Sequence, residues 1–172
     1  VEAALGKGML EVSVAGARCA ERKHAVDRVL VVESDQQHRK ILAQRPMGDL
    51  DILVAIDAGH LSRVGAGRLD RLGLFANVAA RFAEAAVLRD DRIGLLAFSD
   101  GILAACAPDR GARAVVRLRE RLAGLAAGSA ESDPFTAALA ARPLLKHRSL
   151  VVLLTDVEDA ALHPLLVRAI RL

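Results

Sequence analysis

The chain has no tryptophan and no tyrosine, and only four phenylalanines among 172 residues. Its core must therefore be built from Ala, Leu, Val and Ile, and it has little with which to stack on unpaired bases. Single-stranded nucleic acid is accordingly disfavoured as a ligand, and no nucleic-acid partner is expected. There are only two cysteines, Cys19 and Cys106, in no CxxC or Cys/His cluster, which reads as two small buried thiols in a reducing, cytoplasmic compartment. No apolar run approaches the roughly 18 to 20 residues that span a bilayer, and no signal-peptide pattern opens the chain. The sequence starts at Val1, so we read it as a piece of a longer protein, one that could be membrane-anchored elsewhere. Catalytic signatures are also missing. Gly65-Ala-Gly67 is followed by Asp70 where a dinucleotide fingerprint needs its third glycine, and no GxxxxGK[ST], HExxH or GxSxG occurs. His24, His38, His60, His147 and His163 show no ligand spacing. Net charge is weak, +3 from 24 Lys+Arg against 21 Asp+Glu.

What is present is an aliphatic, helix-and-strand pattern. Hydrophobic residues make up 53% of the chain, enough for a sizeable core. Residues 1–48 hold two short strand candidates, 9–14 and 29–33, and read as an N-terminal flanking segment. Residues 49–172 read as the main domain. Its buried strands fall at 52–56, 92–98 and 149–155, each a continuous apolar run. Amphipathic periodicity predicts helices at 68–89, 111–126, 134–141 and 160–171, and Ser99-Asp100-Gly101 is a turn into a returning strand at 102–107. This alternation predicts an α/β fold, a Rossmann-like, doubly wound, mostly parallel sheet with helices on both faces. Ligands of such sheets sit beyond the carboxyl ends of the strands, where the winding reverses.

Two carboxylates stand at those ends. Asp57 follows the run 52–56 and Asp156 follows the run 149–155. An unpaired buried charge is costly, so each needs donors or a cation. On neighbouring strands they would face each other, and a hard divalent ion such as Mg²⁺ would relieve the repulsion. Ser132 or Asp133 could add a contact from the loop before residue 134. The alternative is that both aspartates cap helices or accept loop amides.

The stretch from Asp51 to Leu172 resembles a von Willebrand factor type A (VWA) domain, and more narrowly the bacterial proteins of domain of unknown function 58. The matching pieces are Ile52-Leu-Val-Ala-Ile-Asp57-Ala-Gly59, Arg68-Leu-Asp70, Asp91-Arg-Ile-Gly94-Leu-Leu-Ala-Phe98-Ser-Asp100, Glu131-Ser-Asp133 and Arg148-Ser-Leu-Val-Val-Leu-Leu-Thr155-Asp156. The resemblance implies a metal-ion-dependent adhesion site with the pattern DxSxS, a middle-loop Thr and a later Asp. Asp57 and Asp156 match its aspartates. Gly59 and Leu61 replace its two serines, and Ser132 or Asp133 is the nearest substitute for the Thr, so the site is degenerate. The binding residues it implies are Asp57, Gly59, Ser132, Asp133 and Asp156. The metal set would be Asp57, Ser132 and Asp156, holding Mg²⁺ weakly or no cofactor at all. The resemblance also implies further strands beyond Leu172, so the domain reads as truncated.

The function so implied is a non-enzymatic, protein-binding adaptor, acting in complex assembly with a MoxR-type AAA+ ATPase. A metal-assisted hydrolase or phosphoryl-transfer enzyme using the paired aspartates is the alternative, and a structural module that oligomerises through an open sheet edge is a third. Arg110, Arg113, Arg117 and Arg121 form a basic helical stripe, read as a solvated face or as a dock for an acidic partner.

Overall fold

Every strand of the central sheet that is buried on both faces is an uninterrupted aliphatic run, and this is what sets the layering. The computed structural model describes residues 11–12, 26–31, 50–66, 69–146 and 149–155, with Pro164, Arg168 and Ala169. The strands are β1 (Glu11–Val12), β2 (Val26–Val31), β3 (Asp51–Asp57), β4 (Gly65–Ala66), β5 (Leu69–Asp70), β6 (Arg92–Phe98), β7 (Ile102–Asp109) and β8 (Ser149–Leu154). The helices are α1 (Arg71–Leu88), α2 (Gly111–Ala123) and α3 (Pro134–Ala141). The main sheet has the order β1-β2-β8-β3-β6-β7, and β4 and β5 make a separate small ribbon. The pairs β2/β8, β8/β3 and β3/β6 are parallel, whereas the outer pairs β1/β2 and β6/β7 are antiparallel.

Alternation within the runs divides the core in two. Ile52, Val54 and Ile56 of β3, with Leu150, Val152 and Leu154 of β8, share one face with α1 and α2. Leu53, Ala55, Leu96, Phe98 and Leu153 share the other with α3. Helices thus cover both faces, as the sequence pattern predicts. In α1 the buried positions Leu72, Phe75, Val78, Ala79, Phe82, Ala83 and Ala86 recur at three- and four-residue spacing. The helix starts three residues later than its periodicity suggests, because Asp70 is the N-cap and accepts from Gly73 N at 2.7 Å. It ends where Asp90 turns into the left-handed region at φ 56°.

The strand candidates of the first segment correspond to β1 and β2, which join the main sheet: β2 pairs with β8. They extend the same layer, so the boundary at residue 48 does not separate two sheets. The helix expected at 160–171 falls largely outside the described residues.

The winding locates the switch point of the sheet. From β3 the chain crosses through α1 to β6 on one side. After β7 and α2 it passes over the carboxyl edge and returns through α3 to β8 on the other side of β3. The reversal therefore lies between β3 and β8, at the end that carries Asp57. The opposite, amino edge is locked by ions. Buried Asp51 pairs with Arg92 and accepts from Lys146 N at 3.4 Å, while buried Asp91 accepts from Leu50 N at 3.3 Å.

Gly94 sits where the β6/β7 register shifts between Ile93 and Leu95. A Cβ there would lie 2.7 Å from both Cys106 O and Pro108 N, which are backbone atoms that cannot swing away. Gly94→Ala is therefore expected to destabilise the domain by about 1–3 kcal/mol, as overpacking does, measured by urea unfolding. Leu88→Ala, at an exposed position, serves as the control and should stay within about 0.5 kcal/mol.

Candidate functional site

Parallel register delivers the site. Ile56 of β3 stands opposite Leu154 of β8, so one step further brings Asp57 and Thr155 side by side at the carboxyl edge. Asp57 is only 6% exposed. A carboxylate so placed needs donors, and three separate segments provide them. Gly59 N donates to Oδ1 at 2.9 Å, the Ser132 hydroxyl donates to the same oxygen, and Thr155 Oγ1 donates to Oδ2 at 2.6 Å. The Asp57 backbone carbonyl accepts from Ser62 Oγ at 2.7 Å, which fixes the turn after β3.

Residues 127–133 form a strap across this edge. Gly128 N donates to Ala58 O at 2.7 Å, His60 N donates to Ala130 O at 3.0 Å, and Asp133 N donates to Ser99 O at 2.7 Å. The Arg63 guanidinium adds a bond to Ala127 O at 3.1 Å. The strap is thus tied to the ends of both β3 and β6.

Asp57, Gly59 and Ser132 are brought together. Asp133 lies in the same strap but turns to α3. Its Oδ1 accepts from Phe135 N and Thr136 N at 3.0 and 3.2 Å, and its Oδ2 accepts from Thr136 Oγ1 at 2.6 Å. It is the N-cap of a helix that opens with proline. The Thr136 hydroxyl, above all, holds its carboxyl below the usual range, and the nearby Arg168 contributes in the same direction. Asp156 lies outside the described residues. The residue missed in the sequence is Thr155: the register of two parallel strands marks it, but reading each strand end separately does not. For Asp57, the loop-amide alternative describes the geometry seen.

Among the described residues no group of three or more His, Cys, Asp or Glu side chains could hold a metal ion. The oxygen donors described at this edge come from three side chains. They are one carboxylate with both oxygens already accepting, and two hydroxyls already donating to it. Position 59 has no side chain, and Asp133 is committed to its helix.

Two of the four arginines of the basic stripe are ion-paired. Arg117 pairs with Asp109 at 2.7 Å and Arg110 with Asp90 at 3.5 Å, leaving Arg113 and Arg121 exposed on that face. Cys106 is half-buried, and burial pushes its thiol up, away from reactivity.

Two outcomes follow from these bonds. Thr155→Val leaves Asp57 short of a donor and is expected to cost about 1–3 kcal/mol in chemical unfolding. Asp133→Ala removes a cap and should cost about 1 kcal/mol at neutral pH. The Asp133 carboxyl is lowered in the folded chain, so its contribution is complete above the unfolded value near ~3.9. It fades as the pH falls through the folded value, so the difference between Asp133→Ala and wild type should close in acid.

Residues 32–171 match the family described as protein of unknown function DUF58. No curated protein matches the chain. No helix among the described residues is long and apolar enough to cross a membrane. The match spans most of the chain and takes in β3 through β8 together with Asp57, Ser132 and Thr155, so this protein belongs to the DUF58 family.

Proposed function

We propose that the domain is a non-enzymatic, VWA-type protein-binding adaptor that recognises its partner with the carboxyl edge of the sheet. The supporting observation is the buried Asp57 carboxylate at the switch point, held by neutral donors from three segments of the chain. This puts an oriented negative charge at the position where sheets of this winding meet their ligands. The partner suggested by the resemblance is a MoxR-type AAA+ ATPase, and the assembly of larger complexes is the process. Because the donors already satisfy Asp57, recognition in this proposal runs through hydrogen bonds and charge, without Mg²⁺.

The enzymatic alternative has less to support it. The hydroxyls of Ser132 and Thr155 point their protons at a carboxylate that has no histidine or lysine among its partners within the described residues, so neither has a described base arranged to activate it. The oligomerisation alternative has one favourable observation. β7 is an edge strand of the sheet, and Ile102, Leu103, Ala105 and Ala107 on it are exposed.

Three measurements separate these readings. Calorimetric titration with Mg²⁺ and Mn²⁺ is expected to give a flat trace. Binding to a purified MoxR-type ATPase should survive chelator and fall about tenfold or more in Asp57→Asn, the effect of truncating one partner of a buried charged contact, with circular dichroism confirming that the variant is folded. Binding that is lost on adding chelator would overturn the metal-free proposal. Mass that rises with concentration in light scattering, and falls back in Leu103→Lys, would favour oligomerisation.

A further inference from the structure

β7 is the long open edge of the main sheet. It runs from Ile102 to Asp109 and, among the described residues, pairs only with β6. An edge strand offers its outward backbone groups to any strand that can lie beside it, and natural edges are guarded by charge, proline or bulges. Residues 102–107 carry no charge, and Ile102 and Leu103 are 39% and 47% exposed. The guards here are two bulges. Ala97 and Phe98 of β6 are consecutive, yet they partner Ala104 and Ile102, so Leu103 is extra. Ile93 and Leu95 partner Asp109 and Cys106, so one residue of 107–108 is extra as well. Between the bulges, Ala104, Ala105 and Cys106 run in regular register against Ala97, Leu96 and Leu95. The bulges thus flank Ala105 on both sides. A plain strand laid along β7 meets a mismatch at each of them. A second β7, reversed about Ala105, sets each bulge against its counterpart.

Charge selects the same alignment. Reversal about Ala105 places Leu103 opposite the partner's Ala107, and Asp100 opposite the partner's Arg110. Moving the centre to Ala104 or Cys106 sets Asp100 opposite Pro108 or Ala112 instead, and the charge match is lost. We infer that β7 is a homodimer interface: two copies join their β7 edges antiparallel about a two-fold axis at Ala105, continuing one sheet into the other. Such a closed pairing uses the open edge of both copies and stops there. The inference stands apart from the adaptor proposal. β6 lies between β7 and β3, so the contact leaves Asp57 of each copy untouched. The two-fold reverses strand direction, so the two carboxyl edges point opposite ways.

Light scattering of the whole chain, over a concentration series reaching roughly millimolar, is the first test. The mass is expected to climb to two chains and stop. A mass that stays at one chain, or climbs past two, would overturn the dimer. Ala105 is exposed, so it takes a charged side chain without disturbing the monomer. At the two-fold, Ala105→Lys brings like charges face to face, and so does Ala105→Glu. Each should weaken dimerisation about fivefold or more. Mixing the two variants should restore it, because opposite charges then meet. Leu88→Lys, exposed on α1, should leave the mass unchanged. Variants that dimerise like wild type, or that do not rescue each other, overturn the register at Ala105. Should either variant unfold by circular dichroism, Ala105→Cys decides, combined with Cys19→Ser and Cys106→Ser. Opposed Cα atoms of an antiparallel pair lie about 4.5–5.5 Å apart, within reach of a disulfide. Cross-linking of Ala105→Cys on oxidation, with none for Leu88→Cys in the same background, supports the register. No cross-link at 105, or equal cross-linking at both, refutes it.

Discussion

The structure turns on one buried carboxylate that three donors from separate parts of the chain hold in place. Asp57 sits at the end of an apolar strand, and among the described residues it has no ion pair. Instead it accepts an amide two residues away, a hydroxyl from the strap and a hydroxyl from the neighbouring strand. Burying such a group without donors costs several kcal/mol. The three donors must therefore be assembled together, and residues 59, 132 and 155 are tied to one point although they are far apart in sequence. The strap, the β3 turn and the end of β8 become a single cooperative feature through that point.

The same constraint bears on the adhesion-site pattern that the sequence resembles. Where that pattern has a serine two residues after the first aspartate, this chain has Gly59, and a hydroxyl reaches the same carboxylate from position 132. The Ser132 hydroxyl lies close to where a Cβ at position 59 would stand. Ser62 is similarly out of phase with the pattern, and it bonds the backbone of Asp57 rather than its side chain. The hydroxyls around the aspartate serve to hold it, and each is spent on a bond within the edge itself.

Much of this was legible in the sequence because burial on both faces leaves an unbroken aliphatic run. Residues 92–98 and 134–141 form the elements their patterns predict, and the runs at 52–56 and 149–155 differ from β3 and β8 by a residue or so at their ends. Helix ends were less legible. Asp70 and Asp133 are both caps, yet a capping aspartate and a ligating one look alike until the neighbouring amides are placed. Thr155 was hidden for another reason. Its role depends on the register of β8 against β3, a pairing of residues nearly a hundred positions apart that no local pattern encodes. The membership of β1 and β2 in the sheet was hidden likewise, since a strand's partner is a long-range property.

The two edges of the sheet handle charge in opposite ways. At the amino edge Asp51 is neutralised by Arg92, and the carboxylate of Asp91, pushed up by burial, has an arginine within 4 Å in Arg89. Those ions are matched within the fold and offer little to an outside group. At the carboxyl edge the partners of Asp57 among the described residues are neutral dipoles, which orient its charge without cancelling it. Hydrogen bonds fall away within a few ångströms, whereas the field of an unmatched charge reaches about a Debye length, some 10 Å at moderate salt. Among the described residues, the acceptors of this edge are satisfied while its charge is not matched.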